Sequence, residues 1–361
     1  MARKPQEINI AVIAAKAKVS PSTVSRVINC RAGIGEHTRK RVTELLREHG
    51  FKPNYPAVKT TKVAVVYPWM ALTDYFRKAM EGVYAYAMDK QLMINTIIAH
   101  ENRRETLLEA LREQQCSGVI AMLPEHYMEE LDEVASTELP VISLDYSTAN
   151  ARIGAIDNDS YAGSCLGAQH LIDLGHRKIA YITYDKMSLN QIQRFKGYQD
   201  TLAKNHIEFD ENLVVRMKKA DAALVDSPEY FPVPWEDAGG DLFRKMRGWG
   251  GCIAMKLMLR RQTEFTAVMT TDDCMALGAM SVLHENGIRI PEDISVVGFD
   301  NYAETVFWTP PLTTINHSIE TAGYMAIKSM HEAIKKPEEW IPPREVLSTS
   351  LVIRKSTSLR K

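Results

Sequence analysis

Two groups of residues in this 361-residue chain carry chemistry that folding alone does not require. The first is cationic. Thirteen Lys and Arg stand against four Glu in residues 1–62, a formal charge of +9, while the whole chain carries −1 and the remainder therefore −10. A basic head on an acidic body suits a polyanion-binding module joined to an independent core. The second group is polar and sits where short apolar runs stop. Tyr67, Asp145, Tyr184, Asp272 and Asp300 each close such a run, and phenols and carboxylates there can bond a ligand's hydroxyls. Catalysis has no comparable signature: there is no Gly-x-x-x-x-Gly-Lys-Ser/Thr loop, no Gly-x-Ser-x-Gly elbow and no metal-spaced histidine set. Neither turnover nor a cofactor is expected. Five cysteines, at 30, 116, 165, 252 and 274, are odd in number and scattered, which argues against a disulfide framework or a zinc site.

The apolar runs explain why those polar residues matter. "KVAVVY", "GVIAML", "PVISLD", "KIAYITY", "TAVMTTD" and "ISVVGFD" read as buried parallel strands, alternating with amphipathic stretches such as "DYFRKAMEGVYAYAMDK" and "ETLLEALREQQ". Repeated βα units build doubly wound sheets, whose ligands bind beyond the carboxyl ends of the strands. No run reaches the roughly 20 apolar residues that a membrane span needs, and no apolar signal segment opens the chain, so a cytoplasmic protein is expected.

The basic head reads as three short helices. Ile10, Ile13, Ala14 and Ala17 fall at helical spacing; Ser20 is a natural N-cap and Pro21 suits the first helical position. Val42, Leu45, Leu46 and His49 mark one face of a third helix that ends at Gly50. Two helices joined by a tight turn and braced by a third make a helix-turn-helix, whose second helix enters the major groove.

The string "VSPSTVSRVINCRAGIGEHTRKRVTELLREHGFKPN" resembles the DNA-binding domain of the lactose-repressor/galactose-repressor (LacI/GalR) family. The resemblance implies that Pro21, Ser22 and Arg26 read bases, and that Thr23, Ser25, Asn29, Thr38 and Arg39, with Ser20 at the cap, hold phosphates or pack the module. Two departures stand out. Lys18 occupies a turn position where the family usually has Gly, a strained choice for a side chain at positive φ. The linker "PNYPAVKTTK" places Val58 and Thr60 where the family carries a hinge helix with a leucine wedge. Threonine has no bulky apolar tip, so Val58 is the one plausible wedge, and little bending of the operator is expected.

The resemblance continues through "HLIDLGHRKIAYI", "RFKGYQDTL", "TTDDCMALGAMSVLHENGIRIPEDISVVGFDN" and "TPPLTTINHSIETAG". It implies an α/β core of two Rossmann-like lobes resembling periplasmic sugar-binding proteins, crossed three times by the chain. The expected organisation is a helix-turn-helix domain over 1–53, a shortened linker over 54–62, and a core over 63–354. Lobe 1 takes about 63–158 and 318–336, and lobe 2 about 159–317 and 337–354, followed by a basic tail at 355–361. By position in the matching motifs, Arg194, Asp145, Asp272 and Asp300 contact a small-molecule effector, expected to be a sugar. Tyr67 is a further candidate from its strand end. In the first βα loop Trp69, Asp74 and Tyr75 suit either the sugar or the core. Asp273 is expected to be a helix N-cap. The resemblance lapses over about 221–247, where a surface loop, an aromatic cover for the cleft (Tyr230, Phe231 or Trp235) and a dimer contact all remain open. The implied protein is a transcription regulator, expected to be a repressor, acting as a homodimer on operator DNA with no membrane partner.

Overall fold

The computed structural model describes residues 10–28, 34–49, 61–68, 74–99, 105–146, 148–218, 221 and 240–360, with backbone alone at 36, 47, 125 and 240–247. The chain divides into two compact units, Met1–Thr60 and Thr61–Lys361.

In the first unit three helices, α1 (Ile10–Ala17), α2 (Pro21–Ile28) and α3 (Glu36–Glu48), enclose a small core. Ile13, Ala14, Ala17, Val24, Val27, Val42 and Leu46 form it. Leu45 packs on its margin and His49 is exposed. The α1–α2 turn passes through Lys18 at φ 54°, the left-handed conformation anticipated for that position. Ser20 then starts α2, its Oγ accepting the Thr23 N–H at 3.1 Å.

The second unit holds twelve strands and eight helices among its described residues. In chain order these are β1 (Lys62–Pro68), α4 (Asp74–Asp89), β2 (Met93–Ala99), α5 (Leu107–Glu113), β3 (Gly118–Ala121), α6 (Met128–Ala135), β4 (Val141–Leu144), β5 (Ile153–Asn158), α7 (Ser160–Asp173), β6 (Ile179–Tyr184), α8 (Leu189–Lys204) and β7 (Val214–Met217). There follow α9 (Gly240–Arg260), β8 (Ala267–Thr270), α10 (Asp273–Glu285), β9 (Ser295–Phe299), β10 (Thr313–Asn316), α11 (Ile319–Lys335), β11 (Arg344–Leu347) and β12 (Ser350–Val352). The strands form two six-stranded sheets, ordered β11-β5-β4-β3-β1-β2 and β12-β10-β9-β8-β6-β7. Only β12 runs antiparallel, against β10. Helices cover both faces, which is why β3, β4, β8 and β9 are buried along their whole length. Each fully buried Val or Ile there contributes roughly 1.5–3 kcal/mol.

Two contacts without side-chain spacers set the helices that carry the site. A Cβ on Gly82 of α4 would meet the Glu320 carbonyl oxygen at 1.9 Å, and one on Gly323 of α11 would meet that of Ala79 at 2.1 Å, so these helices touch backbone to backbone. In the second lobe Gly197 of α8 also lies close to α7, where a Cβ would fall 2.5 Å from the Tyr161 oxygen.

Two sequence boundaries are corrected. Residues 337–354 do not all belong to the second lobe: β11 pairs in parallel with β5 of the first sheet, and the chain crosses only after Leu347. Residues 355–360, set apart as a basic tail, are part of the second lobe. Ser356 is fully buried and its carbonyl accepts the Val296 N–H at 2.7 Å, tying the segment to the start of β9, while Ser358 N–H donates to Ser295 Oγ at 3.1 Å.

Candidate functional site

The polar ends of the strands meet between the two lobes of the second unit. Asp145 ends β4 at φ 62°, Asp300 ends β9 at φ 111°, and Asn301 follows at φ 54°. Positive φ is costly for residues with a Cβ, and Asp and Asn bear it best. Strain of this kind persists where surrounding contacts over-determine it and gathers at functional sites. Here it turns two buried carboxylates, one per lobe, out of their strands.

Arg194 lies between them. Ser188 and Gln191 form a reciprocal capping box that starts α8, and the buried face of that helix carries Arg194 inward. Its Nη1 donates to the Thr271 carbonyl at 2.7 Å and lies 3.1 Å from Asp300 Oδ1. Its Nε donates to Ser160 Oγ at 3.4 Å, and the guanidinium sits 3.8 Å above the Phe299 ring. Burial opposes its charge, but Asp300, Asp145 and Asp272 outweigh that and raise its pKa. A guanidinium fixed in this way presents a planar fork of donors.

Asp272 is the N-cap of α10: its Oδ1 accepts the Met275 N–H at 2.9 Å and its Oδ2 accepts the Tyr184 hydroxyl at 3.1 Å. The expectation that Asp273 fills that role was therefore one residue out. Asp273 begins the helix fully buried, accepting Tyr302 N–H at 2.8 Å and Thr314 Oγ1–H at 2.5 Å. Burial, then the charge of Asp300, push its carboxyl well above the usual carboxylate range.

Sequence reasoning missed three neighbours. His317, directly after β10, donates from Nε2 to Asp300 Oδ1 at 3.0 Å, while its buried Nδ1 has no partner among the described residues. Asn190 donates to the Asp145 carbonyl at 2.7 Å, joining α8 to the opposite lobe. Asn158 holds Asp145 from within the first lobe, donating to Asp145 Oδ1 at 3.3 Å and accepting Ser318 N–H from the start of α11 at 2.9 Å. Asn190 was legible, since it stands four residues before Arg194 on one helix face. Tyr75 also points here. Its buried hydroxyl faces Asp145, its ring meets that of His317 edge-on at 5.2 Å, and burial followed by the charge of Asp145 pushes its pKa well up.

Two candidates stand apart from this group. Tyr67 is 6% exposed and packs on Phe76 at 4.0 Å between ring centroids, inside the first lobe's core. Asp74 is engaged elsewhere: it pairs with Arg77 at 2.5 Å, lies 3.7 Å from Lys78 Nζ, and its Oδ2 accepts Ala303 N–H from the other lobe at 3.1 Å. Lys78 reinforces that junction by donating to the Asn301 carbonyl at 2.5 Å. Trp69, Tyr230, Phe231 and Trp235 lie outside the described residues.

On the helix-turn-helix, Ser20, Pro21, Ser22 and Arg26 are exposed, and Thr23, Ser25, Thr38 and Arg39 are half-buried. Ser20 Oγ also lies 2.7 Å from Ser22 Oγ and 2.9 Å from Thr23 Oγ1, so the start of α2 offers a cluster of hydroxyls beside Arg26. Asn29 and linker residues 54–60, with Val58 and Thr60, lie outside the described residues, while Lys62, expected in the linker, already opens β1.

Residues 9–54 match the model of bacterial regulatory proteins of the lacI family. Residues 60–223 match the periplasmic binding proteins and sugar binding domain of the LacI family, and residues 168–357 the periplasmic binding protein-like domain. The chain belongs to the LacI family. Among curated relatives, the HTH-type transcriptional repressor PurR of Pasteurella multocida (strain Pm70) is 29% identical over 357 residues, covering 96% of this chain and 98% of that protein. Among solved structures, the lac repressor dimer bound to operator and the anti-inducer ONPF is 25% identical with a TM-score of 0.71, covering 98% of this chain and all of that one. The transcriptional regulator CelR–cellobiose complex is 26% identical with a TM-score of 0.67 and the same coverage. This LacI-family chain is thus a transcription regulator whose DNA binding is controlled by a ligand, and not an enzyme. Among its described residues no helix is long and apolar enough to cross a membrane.

Proposed function

We propose that the protein is a cytoplasmic repressor that binds operator DNA as a homodimer through α2 and takes a sugar effector between Arg194, Asp145, Asp272 and Asp300. The observation that carries this reading is the buried Arg194–Asp300 pair, flanked by acceptors from both lobes. Charge-assisted hydrogen bonds from such groups suit a polyhydroxylated ligand. A sugar is favoured because the 60–223 match is to a sugar-binding domain and CelR holds cellobiose. Repression is favoured by the relatives named as repressors, and the dimer by the lac repressor. Exposed apolar side chains are available for such an interface: Val306, Phe307 and Trp308, at 50%, 86% and 39% exposure, and Tyr84 and Met88 on α4.

The switch rests on the junctions between lobes. Asn190 to Asp145, and Asp74 and Lys78 to residues 301–303, all cross the cleft. A ligand that binds one lobe arrangement better shifts the population toward it. The change reaches the DNA as altered spacing of two recognition helices over a pseudo-palindromic site. Asp300 contacts Arg194, and its chain neighbour Asn301 contacts Lys78, so one short segment serves both ligand site and junction. A thermal-shift screen of sugars, followed by operator binding with the best hit, tests the reading. It stands if one sugar both stabilises the protein and changes operator affinity, and falls if sugars that stabilise it leave operator affinity unchanged.

A further inference from the structure

We propose that Arg354 is a positioning residue that makes the segment between β9 and β10 move as one body, so that a change of lobe arrangement felt at Asn301 reaches the exposed side chains of Val306, Phe307 and Trp308. This rests on the cleft and dimer reading above and adds the connection between the two.

The segment has a different neighbour at each stage. It leaves β9 at Asp300, beside Arg194, and meets the first lobe at once: the Asn301 carbonyl accepts from Lys78 Nζ at 2.5 Å, and Ala303 N–H donates to Asp74 at 3.1 Å. One turn of 3-10 helix, Ala303–Val306, then leads to the surface, where Val306, Phe307 and Trp308 are exposed. Within that turn the Thr305 N–H donates to the Tyr302 carbonyl at 3.1 Å and the Phe307 N–H to that of Glu304 at 3.0 Å. Hydrogen-bond geometry is poor in a 3-10 turn, so by itself it would absorb a shift rather than pass it on.

Arg354 supplies the stiffness. It stands two residues beyond β12, where its own N–H donates to Thr313 Oγ1 at 3.0 Å. From there its Nη2 donates to Asn301 Oδ1 at 2.5 Å, and its Nη1 donates to Thr305 Oγ1 at 3.2 Å and to the Leu312 carbonyl at 2.7 Å. One guanidinium thus joins the start, middle and end of the segment. The Leu312 N–H closes the ring by donating to the Thr305 carbonyl at 3.0 Å. Asn301 is the meeting point, since its carbonyl holds Lys78 of the first lobe and its side chain holds the clasp. A planar fork keeps three acceptors in fixed relation, whereas a lysine ammonium is a compact charge on a flexible stem. All three acceptors are neutral, so what Arg354 contributes is the spacing of the groups it holds.

The test needs no ligand. Lys78→Met removes the junction's donor to the Asn301 carbonyl and stands in for a change of lobe arrangement. Amide hydrogen exchange on the full chain is read at Thr305, Phe307 and Leu312, with Arg354 in place, with Arg354→Lys, and with Thr305→Val, which keeps the guanidinium and removes its middle acceptor. The proposal predicts that Lys78→Met speeds exchange at these amides by about tenfold or more with Arg354 in place, and by less than about threefold in either clasp variant. A residue that only stabilised the fold would leave the effect of Lys78→Met the same in all three backgrounds, and that result overturns the proposal. So does an unchanged rate at the three amides in Lys78→Met alone. If both clasp variants are unfolded, the guanidinium is a folding requirement and the proposal falls. Because no sugar enters the experiment, a failed sugar screen strikes the cleft reading and leaves this outcome to be judged separately.

Discussion

Arg194 Nη1 lies 3.1 Å from Asp300 Oδ1, with the two side chains only 8% and 5% exposed. A buried pair of this kind is costly to break from one side, because the partner left behind keeps its charge without compensation. Arg194→Met is therefore expected to lower unfolding stability by about 3–5 kcal/mol. Adding Asp300→Leu should recover much of that loss. Denaturant unfolding of the single and double variants checks this; a single-variant loss below about 1 kcal/mol, the range of an exposed pair, contradicts the burial argument.

The junction between lobes gives a second expectation. Asp74→Ala removes a charged acceptor from Ala303 N–H, a hydrogen bond worth about 1.5–3 kcal/mol in the arrangement that contains it. Effector affinity measured by calorimetry should change by roughly tenfold or more. Unchanged affinity would show that the contact does not distinguish the lobe arrangements.

Asp273 sets a pH dependence. Its folded pKa is raised by burial and by Asp300, so the stability tied to its protonated form is fully present below the ordinary aspartate value and is lost as pH rises through the raised one. Stability should decline across that window and level off above it, and Asp273→Asn should flatten the decline. Thermal unfolding across pH 4 to 9, roughly the span over which carboxylates shifted by burial titrate, is the check; identical slopes in both proteins would contradict it.

Much of this was legible in the sequence because the underlying physics is local. The β1, β4, β6, β8 and β9 runs are buried on both faces and so read as unbroken apolar stretches, and their terminal Asp145, Asp272 and Asp300 follow directly. The edge strands were harder. β11 is largely exposed, so its own pattern does not announce its pairing with β5. The junction contact of Asp74 was hidden for a similar reason: its partner Ala303 lies 229 residues away in the other lobe, and no local spacing announces that contact. His317 escaped because β10 is four residues long and nothing marks the residue after it as facing Asp300.

The DNA-binding unit predicts a steep salt response. A dimer that neutralises about 6–10 phosphates should lose roughly 10³–10⁵ in affinity between about 50 and 200 mM salt. Arg26, exposed on α2, should matter for sequence: Arg26→Ala is expected to weaken operator binding more than binding to random duplex. Equal losses on both duplexes would move Arg26 from base reading to phosphate contact.

The central claim is that the cleft around Arg194 and Asp300 controls the DNA-binding unit. Coupling between two binding sites is reciprocal, so an effector that changes operator affinity by some factor must have its own affinity changed by operator by that same factor. The direct measurement is operator affinity with and without saturating effector, and effector affinity with and without operator, in the unaltered protein and in Arg194→Ala. The account predicts equal factors in the unaltered protein, and in Arg194→Ala operator binding that persists without effector but no longer responds to it. An operator affinity indifferent to bound effector, or an undiminished response in Arg194→Ala, would contradict it.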